Sequence, residues 1–247
     1  MLHVLGENGA RYLDLLIYPP VAAVISGIIT WLCIRLLPRF GMVDIPHGWH
    51  DHAKPTPRGG GIAIIIAFFA TGLIFALKHP EQPEMLRIIG HFAIPASLLA
   101  LTGLIDDRCE LPPWVKLAAQ IAVGGLVYYL GGGFYSLYNY HLPIYVGLPL
   151  TVCWVIGVIN AFNLIDGLDG LAAGLASVSS LLLAVWGIVF VNMLGYASLS
   201  LIFCGACIGF LIFNFSPARI FMGDTGACSS GCSSPSCAGA MRAVRRR

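Results

Sequence analysis

The chain has 247 residues, of which 57% are hydrophobic and only 11% charged, with a formal net charge of +2 and a mean hydropathy of +0.82. A soluble domain carries about 25% charged residues, so this composition excludes an ordinary soluble globule, and the small net charge gives no footing for nucleic acid. Apolar runs of about 18 residues or more mark membrane spans, and because the runs are continuous rather than alternating they read as helices. The expected fold is an all-α, polytopic transmembrane helical bundle.

Seven spans are read in chain order: Leu13–Leu37, Gly60–Leu77, Ile88–Ile105, Trp114–Leu130, Leu142–Ile159, Leu171–Val191 and Ala197–Phe213. The N-terminus lacks the basic region and cleavage site of a signal peptide. The connections alternate between two sides. One side carries Arg35, Arg39, Lys54, Arg58, Arg108, Lys116 and Arg219, and the other Arg11, Lys78 and Arg87. The positive-inside rule places the first side in the cytoplasm and the N-terminus in the periplasm. Most of the acids share that first side: Asp44, Asp51, Asp106, Asp107, Glu110, Asp166, Asp169 and Asp224. Solvated loop ends would account for them, as would a site for a charged substrate and a cation. The opposite side holds turn chemistry, Gly131-Gly132-Gly133 and His79-Pro80, and His3, His79, His91 and His141 read as surface or core histidines. Cys33, Cys153, Cys204 and Cys207 fall in apolar runs, where thiols behave as small hydrophobes rather than as a disulfide framework.

The long loop from Pro38 to Gly59 comes first among the polar motifs. Asp44-Ile-Pro46 is followed by His52-Ala-Lys54-Pro55-Thr-Pro57-Arg58 and a glycine run that opens the second span. Its prolines stiffen it, and its basic residues suit either phosphate or a juxtamembrane surface. Asp106-Asp107-Arg108 ends the third span, where a helix C-terminus offers two acids no dipole benefit. Adjacent carboxylates raise each other's pKa unless a cation or donor sits close, and Mg²⁺ with phosphate oxygens would resolve the conflict. Lys116 opens the fourth span and could snorkel or pair with phosphate.

Asn160 to Gly170 reads as a polar loop with Asn160, Asn163, Asp166 and Asp169 between two apolar runs. Acids at the end of a span are a functional-site hypothesis by default. Asp166-x-x-Asp169 also resembles a capping box for the sixth span, while Gly167 and Gly170 would let backbone approach a ligand. After the seventh span, Arg219 suits phosphate, Phe221 suits a nucleobase or the membrane interface, and Asp224 could N-cap a following helix.

Together, Asp44-x-Pro46, His52-x-x-Pro55-x-Pro57-Arg58-Gly-Gly, Asp106-Asp107, Asn163-x-x-Asp166-Gly-x-Asp169-Gly and Phe221-Met-Gly-Asp224-x-Gly resemble the bacterial polyprenyl-phosphate N-acetylhexosamine-1-phosphate transferases. The resemblance implies transfer of a sugar 1-phosphate from a UDP-N-acetylhexosamine to undecaprenyl phosphate with release of UMP, at the bacterial inner membrane, with the site facing the cytoplasm. It implies Mg²⁺, with Mn²⁺ as an alternative, held by Asp224 and Asp107. Asp106, Asp107 and Asp224 would be catalytic. Asn163, Asp166, Asp169, Phe221, Lys116, His52, Lys54, Arg58 and Arg219 would bind substrate, with Phe221 stacked on uracil. The Pro-Thr-Pro-Arg-Gly-Gly form of the first loop favours the lipopolysaccharide or O-antigen initiating branch over the muramyl-pentapeptide one. A homodimer is left open.

The sequence departs from the family at Trp49-His50-Asp51 and again after Gly226, where Ala227 to Arg247 becomes polar, Cys- and Ser-rich low complexity. The family continues there with further spans and a histidine-bearing loop. The expectation is a truncation or frameshift near Ala227, leaving residues 1–226 as an incomplete transferase domain and 227–247 as an aberrant tail. A genuine tail, whose terminal arginines suit an anionic membrane surface, is the alternative. Two rival functions follow: an inactive fragment of such a transferase, and an ion-coupled transporter using the acids as a relay.

Overall fold

The computed structural model describes residues 15–44, 55–82, 84–109, 111–137, 140–191 and 193–226. His3, His52, Lys54 and the 227–247 tail therefore lie outside the described residues. The described residues form seven long helices: α1 (Tyr18–Leu36), α2 (Gly61–Lys78), α3 (Glu84–Cys109), α4 (Pro113–Val127), α5 (Ile144–Ile165), α6 (Leu171–Trp186) and α7 (Leu194–Asn214). All seven, with their terminal turns, are long and apolar enough to span a bilayer, as the hydropathy pattern predicted. Pro95 and Pro149 lie inside α3 and α5, where neighbouring helices make an interior proline tolerable in a membrane.

Two packing groups make up the bundle. In the first, α1, α2, α6 and α7 share a core that includes Ile64, Phe68, Phe75, Ala173, Phe203 and Phe210. Phe68 and Phe203 meet edge to face at 5.6 Å. α7 lies directly on α1 because Gly205 and Gly209 have no Cβ. Any side chain there would run into the backbone of Pro19 or Ala23. Between membrane helices, such close packing replaces the hydrophobic driving force that lipid removes. In the second group, α3, α4 and α5 enclose Leu99, Val123, Val127, Val155 and Ile159.

At one end, the Tyr18 hydroxyl is 3.0 Å from His79 Nε2, and His79 Nδ1 is 2.9 Å from Glu81 Oε1. His79 thus clasps α1 to α2, in keeping with a structural histidine. A small hairpin, β3 (Ser136–Leu137) with β4 (Tyr140–His141), joins α4 to α5 there. The other end carries the motifs. There β1 (Val43–Asp44) pairs antiparallel with β2 (Thr56–Pro57), drawing together the two ends of the long loop.

Helix limits differ from the sequence expectation in one consequential way. α5 runs on to Ile165, so Asn160 and Asn163 are helical residues and not part of a loop. No glycine or proline interrupts residues 160–165, and Asn160 Nδ2 bonds back to Ile156 O at 2.9 Å and across to Gln120 Oε1 on α4 at 3.0 Å. These bonds offset the weak helix preference of asparagine.

Candidate active site at the acidic end of the bundle

The site is assembled by a three-way backbone splice. Gly60 and Gly61, which open α2, donate to Phe221 O and Met222 O at 2.9 Å, and Phe221 N donates to Pro57 O at 2.9 Å. The segment 57–61 is thereby zipped to 221–222, although the two lie far apart in sequence. Gly61 faces the backbone of Gly226, and a Cβ at Gly103 of α3 would meet Thr225 N and Cα at 2.5 Å. Glycine at these two positions lets α2 and α3 close on the turn formed by residues 223–226.

Asp107 holds that turn. Its side chain is fully buried, accepting from Asp224 N at 3.0 Å, Thr225 N at 3.2 Å and the Thr225 hydroxyl at 2.6 Å. Arg58 Nε lies 3.3 Å from the same carboxylate. With both oxygens engaged, Asp107 acts here as the anchor of the turn, and the expected metal-ligand role would require some of these donors to move aside.

Asp106, its neighbour, faces Lys116. Lys116 Nζ is 2.5 Å from Asp106 Oδ2 and 2.9 Å from Asp224 Oδ2, and Asp106 Oδ1 accepts from Leu111 N at 2.7 Å. Lys116 thus bridges two acids instead of snorkelling to water. The other Asp224 oxygen faces Arg58 Nη2 at 3.7 Å. Burial works to raise the Asp224 carboxyl, but its contacts with Asp106 and Lys116 and the charge of Arg58 prevail and hold it below the usual carboxylate range.

The α5–α6 connection closes the site from the other side. Asp166 Oδ2 accepts from Gly223 N, and Asp169 Oδ2 from Ala218 N, each at 3.1 Å. The capping-box expectation is therefore corrected: α6 begins after Gly170, a left-handed residue, with no side-chain cap, and both acids instead reach across to the 218–223 segment. Burial pushes the Asp166 carboxyl up to about 7, opposed by the Gly223 N–H and by Arg58. Asn214, 3% exposed at the end of α7, accepts from Gly170 N at 3.1 Å and donates to Ile220 O at 2.9 Å.

Asp106, Asp107, Asp166, Asp224, Lys116 and Arg58 are therefore brought together as expected. Asn163 is half-buried about one helical turn beyond Asn160 and its bond to Gln120, and Phe221 is half-buried beside the splice. Arg219 is exposed, its N–H is bonded to Phe213 O, and its side chain makes no ion pair among the described residues. Asn214, Thr225 and Gln120 were missed as contributors. Their signal was present only as polar residues inside or next to apolar runs, which the cost of burying an unpaired amide or hydroxyl makes informative.

The acids outnumber the bases in this pocket, and carboxylate oxygens are the donors that a hard divalent cation takes. Among the described residues no three acids, histidines or cysteines converge closely enough to hold a metal unaided. The donor set suits a cation that takes one or two carboxylates and completes its shell from substrate phosphate and water.

A membrane bundle with such an acid–base cluster at one end suits charge-neutralising chemistry on phosphates at the bilayer surface. Residues 88–238, more than half of the chain, match the family model described as glycosyl transferase family 4, and the chain belongs to that family. It is 37% identical over 84% of its length to a probable undecaprenyl-phosphate N-acetylglucosaminyl 1-phosphate transferase of Bacillus subtilis (strain 168). Over 83% of its length it is 34% identical to a decaprenyl-phosphate N-acetylglucosaminephosphotransferase of Mycolicibacterium smegmatis. A phospho-N-acetylmuramoyl-pentapeptide-transferase of Latilactobacillus sakei is 35% identical over 74% of the chain. The chain spans 59%, 55% and 61% of the length of these three relatives.

Proposed function

We propose that this protein transfers an N-acetylhexosamine 1-phosphate from a UDP-sugar to undecaprenyl phosphate, releasing UMP, as the opening step of a cell-envelope glycan such as lipopolysaccharide or O-antigen. The observation that carries this reading is the Lys116 bridge between Asp106 and Asp224, with Arg58 beside it. Phosphoryl transfer needs alignment and charge neutralisation more than covalent help, and this cluster offers both cations and carboxylates at one point. The names of the relatives support the substrate class.

An oxygen of the lipid phosphate attacks the β-phosphorus of the nucleotide sugar. The new P–O bond forms as the bond to the α-phosphate breaks, and UMP leaves. Lys116 and Arg58 turn from the acids toward the phosphate oxygens and take up the developing charge. Asp224 would hold Mg²⁺, which would supply further charge neutralisation. Asp107 keeps Asp224 in place. Asp106 sits against Lys116 as the candidate base or phosphate-orienting acid, and Asn163, Asp166, Asp169 and Phe221 face the nucleotide. The outward orientation of the motif end is the cytoplasm.

A transporter would need acids part-way along its spans, whereas these lie at helix ends and in connections. The test is UMP release from a panel of UDP-N-acetylhexosamines with undecaprenyl phosphate and Mg²⁺, with the Bacillus subtilis relative as positive control. Release that needs both lipid and Mg²⁺ and is lost in Asp224→Asn supports the reading. Nucleotide binding without release supports the inactive-fragment alternative. Neither binding nor release with any donor refutes the assignment.

A further inference from the structure

Beside the acidic end, but turned away from it, the ends of α1 and α3 stand apart and leave an apolar slot of about 670 Å³. That volume lies within the range of small-molecule sites. One wall is Leu37, Phe40 and Met42, which follow α1; the other is Leu104, Ile105 and Arg108 of α3. Phe40 and Ile105 are 60% and 44% exposed, so the slot opens to the surface of the bundle where it meets the bilayer.

Arg108 lines this slot and has no carboxylate partner among the described residues, unlike Arg58 and Lys116. Its place in the last turn of α3 suits the helix dipole, but the dipole does not account for an apolar slot beneath it. A cation over a chain-sized apolar slot at a membrane surface is complementary to an amphiphile with a phosphate head. At 100° per residue along α3, Leu104, Ile105 and Arg108 share one face, while Asp106 and Asp107 lie on the other. A phosphate on Arg108 would thus sit on the far side of α3 from Lys116, which argues against the acceptor lipid in its reacting position. The slot is nonetheless continuous with the site's supports: a Cβ at Gly59 would meet Met42 Cε at 2.9 Å and Asp107 Oδ2 at 3.5 Å.

We propose that the α1–α3 slot is a binding site for an anionic phospholipid of the surrounding leaflet, one acyl chain lying between Phe40 and Ile105 and the head-group phosphate resting on Arg108. The occupant braces Met42, and through it the segment that carries Arg58. This goes beyond the transferase reading and does not depend on transfer, so the two fail separately.

The test places the chain in phosphatidylcholine nanodiscs with a trace of phosphatidylglycerol or phosphatidylcholine bearing a photoreactive acyl chain. Crosslinked peptides are then mapped by mass spectrometry. Peptides covering residues 37–42 and 104–109 are expected to be labelled about fivefold more by phosphatidylglycerol, the worth of one cation beside an anionic lipid surface. Arg108→Gln should abolish the preference while leaving chain labelling intact, and Ile105→Trp, which fills an already exposed position, should lower labelling by both lipids. Equal labelling by the two lipids, or a preference that survives Arg108→Gln, overturns the proposal. So does displacement of phosphatidylglycerol by stoichiometric undecaprenyl phosphate.

Discussion

Replacing Thr225 by valine removes one hydroxyl and almost no volume from a fully buried position. That hydroxyl donates at 2.6 Å to Asp107, whose side chain has no access to solvent and whose other donors are two backbone N–H groups and Arg58. A hydrogen bond to a charged partner contributes about 1.5–3 kcal/mol. Valine gains little in return, because its new methyl faces a carboxylate rather than an apolar wall. Taking about 2 kcal/mol, with 1.4 kcal/mol per tenfold, the equilibrium for local opening of the 223–226 turn shifts by roughly 30-fold. Amide hydrogen exchange reads this directly, because the amides of Asp224 and Thr225 are themselves donors to Asp107, and local opening exposes them without global unfolding. Both should exchange about 30-fold faster in Thr225→Val, while amides in the middle of α7 keep their wild-type rates. A change below about threefold at residues 224 and 225, in a chain whose α7 protection is intact, would refute the role given to Asp107 as anchor of the turn.

Asn214→Ala strips partners from Gly170 N and Ile220 O together; a loss of about 2–3 kcal/mol should appear as a lowered Tm, and an unchanged Tm would show that these backbone groups find other partners. Gly223→Ala forces a side chain onto a φ of +72° and brings its Cβ within 2.7 Å of Asp107 Oδ2 and Gly59 N; folded yield by size-exclusion chromatography should fall sharply, whereas Gly90→Ala, which meets nothing within 4 Å, should be neutral. The Asp166 carboxyl has a folded pKa of about 7 against an ordinary 3.8, so between these values the folded state binds more protons than the unfolded chain. Its contribution to stability is full below about 4 and is lost as the pH rises through about 7. Asp166→Asn should accordingly flatten the Tm-against-pH curve of the ligand-free chain over that window, and parallel curves for the two proteins would contradict the assignment.

The spans were legible because the bilayer imposes a length and an apolar composition that few other structures require. Their ends were less so. Asn160 and Asn163 resembled loop residues because asparagine favours turns, and only the neighbouring α4, which supplies Gln120, reveals why the helix continues. Asp166 and Asp169 resembled a helix cap, since a capping box and a long-range anchor share the same local spelling. Asn214 and Thr225 carried too little local signal to stand out from ordinary polar residues at span ends. Arg219 had the chemistry for phosphate but makes no ion pair among the described residues.

The sequence by itself determined a seven-span helical bundle and the collection of its acids and bases on one side, because hydropathy and charge act on each segment separately. It also carried the ordered motifs that place the chain in its family. Only the tertiary structure decided which acid meets which base. Lys116 joins Asp106 to Asp224, Asp107 clamps the turn behind them, and Asp166 grips Gly223, all across sequence separations of 57 residues or more, apart from Lys116 with Asp106. These partnerships depend on the glycine-permitted approach of α2 and α3 to the 223–226 turn, and the distance between two segments is a property of the packed bundle that neither segment's sequence encodes alone.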